Sequence, residues 1–138
     1  MSAKHITFMA ALLILCGQAL AHHGFAGRYD EINLVTLEGT VVELQLVNPH
    51  ATLIFAVRNA DGKVVRWNGL LGTATTLMRN DGWSSDTLKP GDRISVMGAP
   101  AVRGAPDMLL MHKSVITLLE TGEEVRNTLG EESGQRGF

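Results

Sequence analysis

The order of alternating segments along this 138-residue chain predicts an all-β domain with one short helix. It predicts a five-stranded barrel of the OB type, with the helix between strands three and four. Three observations lead there. The first alternating segment is long and slips phase in its middle. The one helical pattern falls after the third alternating segment. Turn residues divide the remaining segments at short intervals. A small β-sandwich is the competing architecture, and the position of the single helix favours the barrel.

The elements follow in chain order. In "LEGTVVELQLV" (37–47), Leu37, Gly39 and Val41 keep one phase, whereas Val42, Leu44 and Leu46 keep the other. A slip at Val41–Val42 is what a bulge in one bent strand produces. Pro49 ends that strand, because it has no N–H for a ladder. "ATLIFAVRN" (51–59) alternates with Leu53, Phe55 and Val57 on one face. "ADG" (60–62) makes a hairpin turn, and "KVVRWNG" (63–69) returns with Val65 and Trp67 in phase. Ala74, Leu77 and Met78 share a helical face over 73–81, with Thr73 able to cap the start and Gly82 placed to end it. "RISVMGAP" (93–100) is the fourth strand, with Ile94 and Val96 in phase, and "MLLMHKSVITLL" (108–119) is the fifth, of unsettled phase. The polar, glycine-rich stretch 121–138 reads as a loose tail. In barrels of this kind the loop joining strands one and two and the loop joining four and five lie near each other. Here these are "VNPHA" and "RGAPD".

The first 21 residues read as an export signal to be cleaved. "MSAKH" is a short basic start, "ITFMAALLILCG" is an apolar run too short to span a bilayer as a folded helix, and "ALA" (19–21) is the small-x-small pattern read by signal peptidase. A lipoprotein reading of "ILCG" is weaker, because Leu15 stands where a small residue is expected. Cleavage after Ala21 makes His22 the first mature residue, and 22–120 then forms a single domain. The chain's one cysteine, Cys16, leaves with the signal, so the mature protein carries no thiol. Export permits disulfides without requiring them, and the periplasmic or secreted location is inferred from the signal alone. A formal net charge of −2 with few aromatic residues argues against nucleic acid as a partner, since neutralising phosphates needs a basic surface. After cleavage nothing remains to hold the chain stably in a membrane.

Three segments together, "AHHGFAGRYD", "TLEGTVVELQLVNPHATLIFAVRNADGK" and "GW…DTLKPGDRISVMGAP", resemble a bacterial family of small exported proteins whose domain has no assigned function. Members carry an HHxFA start and an NPH motif. The matching positions here are His22, His23, Phe25, Ala26, Asn48, Pro49 and His50, while Gly24 stands where serine is common. His112 lies outside the pattern. The resemblance covers nearly all of the mature chain, implies export and a barrel-like β fold, and leaves the chemistry to the residues.

The candidate metal ligands are His22, His23 and His50. A free N-terminal histidine offers its α-amine and its Nδ1 to one ion as a six-membered chelate. A second imidazole completes a T-shaped set of three nitrogens, a histidine brace. Copper(II) favours tetragonal nitrogen sites and tops the affinity order of the divalent metals, so copper is the expected ion and zinc the second choice. His50 sits between a proline turn and the second strand, with Asn48 or Asp30 as candidates to orient its other ring nitrogen. The plainer alternative is a solvated terminus and a loop histidine with one hydrogen bond. His112 is expected as an ordinary half-buried strand histidine.

Other signals carry less. Trp67 and Trp83 are expected in the core, and Met97 and Met111 as packing, though thioethers can also ligate copper(I). Arg28, Tyr29 and Asp30 are placed to pin the N-terminal segment onto the barrel. No Ser/His/Asp or Cys/His arrangement and no phosphate-cradling loop is present, so no enzyme activity is expected. Copper-dependent oxidation is the one chemistry left open. Two functions remain. One is an exported copper protein for carriage, buffering or delivery to another exported protein. The other is a metal-free OB-like module for a small molecule, glycan or protein partner.

Overall fold

A computed structural model describes residues 27–130. Its elements are β1 (Val35–Gln45), β2 (Thr52–Arg58), β3 (Val64–Leu70), α1 (Ala74–Arg79), β4 (Arg93–Pro100), β5 (Asp107–Leu109), β6 (Val115–Leu118) and β7 (Glu124–Asn127). The strand order β1-β2-β3-β5-β4 closes on itself because β1 also pairs with β4. The result is the expected five-stranded barrel with its helix between strands three and four. Every pairing is antiparallel except β3 with β5.

β1 closes the barrel by using its two halves differently. Val35–Thr40 pair with Gly98–Arg93 of β4, whereas Thr40–Gln45 pair with Ala56–Thr52 of β2. The register against β2 shifts between Val41 and Glu43, which leaves Val42 as the extra residue of a bulge. The bulge bends the strand and re-aims its side chains. Gly39 sits at the crossing. A Cβ there would lie 2.6 Å from the Ala56 carbonyl oxygen, so the strands could not approach as they do.

The inward faces of β2 and β4 supply Leu53, Phe55, Ile94 and Val96, all fully buried. Helix α1 covers one end of the barrel with Ala74 and Leu77, while Met78 turns outward and is 51% exposed. Thr73 caps the helix by accepting the Thr76 N–H at 3.1 Å. Gly82 has φ +71°, and just past it the chain turns back so that Trp83 N–H donates to the Leu77 carbonyl at 2.9 Å.

The expected fifth strand over 108–119 is two strands. β5 ends at Leu109, β6 begins at Val115, and residues 110–114 leave the sheet opposite Gly98 alone. Met108, Leu109 and Leu110 are all buried, a pattern no single alternating strand can hold, which is why its phase could not be read. Leu110 turns into the barrel against Gly69 and Gly98, where a Cβ on either glycine would collide with it. The stretch expected as a loose tail also contributes a strand. β7 pairs with β6, and it brings Arg126 into the interior at 9% exposure.

The registers also separate the two loops expected to be neighbours. Residues 46–51 lie beyond Leu70, the partner of Thr52. Residues 101–106 lead into Asp107, the partner of Asn68. From β3 they run in opposite directions. No helix among the described residues is long and apolar enough to cross a membrane.

Candidate functional site

The loop from β1 to β2 is fastened at its base. Ala51 N–H donates to the Gly72 carbonyl and Leu71 N–H to the Ala51 carbonyl, both at 2.9 Å. Asn48 is tied to the first turn of α1, where its Nδ2 donates to Thr75 Oγ1 at 3.1 Å and its Oδ1 accepts the Thr75 N–H at 3.4 Å. The Asn48–Pro49 bond is cis. His50 stands between these anchors, half-buried and not a free side chain.

The two residues expected to orient His50 are committed elsewhere. Asn48 holds the helix. The Asp30 carboxylate closes its own turn, accepting the N–H groups of Ile32 and Asn33 at 3.1 and 3.0 Å and the Asn33 side-chain amide at 2.9 Å. Those hydrogen bonds hold the Asp30 pKa below the ordinary carboxylate value. Short polar side chains satisfy nearby backbone donors first, and sequence spacing cannot say which of several acceptors a histidine receives.

His22 and His23 lie outside the described residues. Where the described chain enters is well defined. Tyr29 bridges to Ala101, Asp30 N–H donates to the Pro100 carbonyl at 2.9 Å, and Val102 N–H donates to the Arg28 carbonyl at 2.9 Å. Asp107 joins both side chains, taking a 2.7 Å hydrogen bond from Arg28 Nη2 and a 3.0 Å one from the Tyr29 hydroxyl. The expected pinning thus runs through Arg28 and Tyr29, with Asp30 contributing its backbone. Burial, and then the Asp107 carboxylate, push the Tyr29 pKa up to about 12.

His112 is not on a strand. It lies in the 110–114 interruption, where its Nε2 meets Glu31 Oε2 at 2.6 Å. The partners are 81 residues apart, and no sequence signal joins them. Trp83 is 5% exposed in the core, and Trp67 packs against the core, its ring centroid 6.5 Å from that of Phe55. Met111 packs against the Tyr29, Ala99 and Leu109 group. An open cleft of about 540 Å³ between the α1–β4 connection and the β6–β7 hairpin is lined by acids including Asp81, Asp86, Asp92, Glu120 and Glu123. Among the described residues no three His, Cys, Asp or Glu side chains converge to hold a metal ion.

No curated protein matches this chain. One family does. Its sequence model matches residues 10–109, from the N-terminal apolar run to the last residue of β5, so β6 and β7 lie beyond it. The chain therefore belongs to DUF6152, a family of unknown function.

Proposed function

We propose that this chain is an exported metal-binding protein that takes up copper(II) in carriage or buffering, passing the ion to another exported protein. Cleavage behind Ala21 frees the His22 α-amine, which chelates the ion together with its own Nδ1. His50 supplies the third nitrogen and His23 is the alternative imidazole. The observation that carries the reading is His50 itself, presented by a loop fastened on one side to Leu71 and Gly72 and on the other to α1. A ligand on such a loop loses little freedom when a metal binds. Zinc is the second-choice ion.

The geometry sets a condition. The described chain begins beside residues 101–107, which lead into the partner of Asn68, and His50 lies beyond Leu70, the last residue of β3. The five residues His22–Ala26 reach at most about 17 Å, and the brace requires His50 to lie within that reach of the first described residues. The competing reading is a metal-free module binding through the outer face of β2 and β3. It draws on the exposed Arg58, Val64, Arg66 and Asn68 on that face.

Copper titration of the mature chain, beside one carrying a single extra residue before His22, tests the proposal. The extra residue keeps every imidazole but puts the amine in a peptide bond, so affinity should fall sharply. His50→Ala should weaken copper binding with the barrel intact, and acid should weaken it as protons compete for the nitrogens. Equal binding by the extended and native chains would leave the metal-free module as the better account.

A further inference from the structure

β3 has a neighbour on both sides for only part of its length. Asn59 N–H donates to the Lys63 carbonyl at 2.8 Å and Leu71 N–H to the Ala51 carbonyl at 2.9 Å, so the odd-numbered residues of this segment bond toward β2. The even-numbered ones turn their N–H and C=O groups the other way. On that side Asn68 N–H donates to the Pro106 carbonyl at 3.0 Å, and the Leu70 carbonyl accepts the Leu110 N–H at 2.8 Å. β5 faces Asn68–Leu70 and reaches no further back. The preceding bond of that ladder would run from residue 106 to the Arg66 carbonyl, and Pro106 has no N–H to give. Just before it the chain closes a turn of its own, with φ +72° at Gly104 and its N–H donating to the Ala101 carbonyl at 3.0 Å. The outward N–H and C=O groups of Val64 and Arg66 therefore face no strand among the described residues. Both residues are exposed, Val64 at 55%.

An open edge of this kind is a template for an extended segment, whose main chain supplies the missing bonds while its side chains set the choice of partner. Charge decides which segment fits. The whole chain carries a formal −2, yet this edge is basic. Arg66 shares the outer face with Arg58, which stands across from Val64, and Lys63 adjoins them, with Asp61 set against it at 3.5 Å. Arg103 adds a cation across an open hollow of about 390 Å³ that Ala105 and Asp107, the neighbours of Pro106, also line. A second copy of the chain would bring the same cations to the edge, and charged edges keep like chains apart in this way. An acidic segment is drawn to it by the same charges.

We infer that the open edge of β3 takes an extended acidic segment of a partner protein as an added strand, hydrogen-bonded to the backbone of Val64 and Arg66. These two residues lie two apart on one face, so the segment sets an apolar side chain beside Val64 and an aspartate or glutamate beside Arg66, likewise two apart in its own sequence. The inference needs no metal and is independent of the copper reading.

The experiment follows backbone amide exchange by NMR in the mature chain, kept metal-free by a chelator. The probe is a capped synthetic peptide of two Glu-Thr-Val-Thr repeats, which puts glutamate and valine two apart on one face. Without peptide, the amides of Val65 and Trp67 should exchange slowly and those of Val64 and Arg66 fast. Millimolar peptide should slow Val64 and Arg66 by at least about 3-fold. Lysine in place of the glutamates, or N-methyl groups on the peptide amides that face the edge, should abolish the slowing. Arg66→Glu, at an exposed position, should transfer the preference to the lysine peptide with the barrel's amide spectrum otherwise unchanged. No slowing by the glutamate peptide, or equal slowing by the lysine form, overturns the inference. Undiminished binding of the N-methylated peptide also overturns it, since side-chain attraction alone would then suffice. Slowing that grows with protein concentration in the absence of peptide makes the occupant a second copy of the chain and overturns it as well.

Discussion

Replacing Arg126 by methionine tests whether the C-terminal hairpin is part of the barrel's support. The guanidinium donates to Met111 O at 2.7 Å, Leu110 O at 2.9 Å and Ser114 Oγ at 3.2 Å. Leu110 O keeps a second donor, the Ser114 hydroxyl at 2.9 Å, so the carbonyl left stranded is that of Met111. The Met111 hydrogen bond is part-buried, so a stranded acceptor there costs toward the low end of about 1–3 kcal/mol, and a hydrogen bond from a charged donor contributes about 1.5–3 kcal/mol net. Removing the charge also relieves its desolvation, which offsets part of the loss. Methionine retains most of the stem's packing. The expected destabilisation is therefore about 2–3 kcal/mol, a large share of the roughly 5–15 kcal/mol that holds a domain folded. Asp81 lies 3.8 Å from Arg126 Nη1, and Asp81→Asn, which leaves the guanidinium's hydrogen bonds to the 110–114 carbonyls in place, should cost less than Arg126→Met. Urea unfolding followed by tryptophan fluorescence measures both, and the m-value should not change. A loss below about 0.5 kcal/mol for Arg126→Met would mean that β7 is an ornament on a barrel complete without it.

Further outcomes concern Tyr29 and two glycines. The chain has one tyrosine, so phenolate absorbance reads Tyr29 alone, and its midpoint in the folded protein should lie near 12. Its pKa is raised above the ordinary value of about 10, so the stabilisation it contributes is intact below that pH and is lost as pH rises toward 12. A folded-state midpoint near 10 refutes this. Asp107→Asn should bring the midpoint down only partway, because burial is the larger cause and remains. Gly98→Ala should destabilise by about 1–3 kcal/mol, since its Cβ would lie 2.7 Å from the Leu109 carbonyl oxygen and crowd Leu110. Gly72→Ala, whose Cβ meets nothing within 4 Å, should stay within about 0.5 kcal/mol in the same unfolding assay.

Of the candidate site, the sequence carried the loop histidine and the pinning of Arg28 and Tyr29, but not what either touches. His50 could be placed beside a proline turn because Pro49 marks one. That Asn48 would hold Thr75, and Asp30 its own turn, depended on donors the fold delivers from α1 and from the next three residues. Glu31 and His112 had no common signal, since one precedes the barrel and the other sits in a gap near its end.

What the sequence determined by itself is what period and turn chemistry encode locally. The inward faces of β2 and β4, the bulge at Val42, the capped helix and the order of strands that closes the barrel were all written in neighbouring residues. Side-chain period fixes which face is buried, and a phase slip marks a bulge wherever the chain is met. Only the tertiary structure decided that 108–119 divides in two, and that a polar tail adds β7. The reason is one buried leucine. Leu110 fills the space that Gly69 and Gly98 leave inside the barrel, so the chain must leave the sheet after Leu109 and return at Val115. The carbonyls freed by that detour are met by Arg126 from 15 or 16 residues away. A requirement created by closing the barrel has no local period, so it could not be read before the barrel was closed.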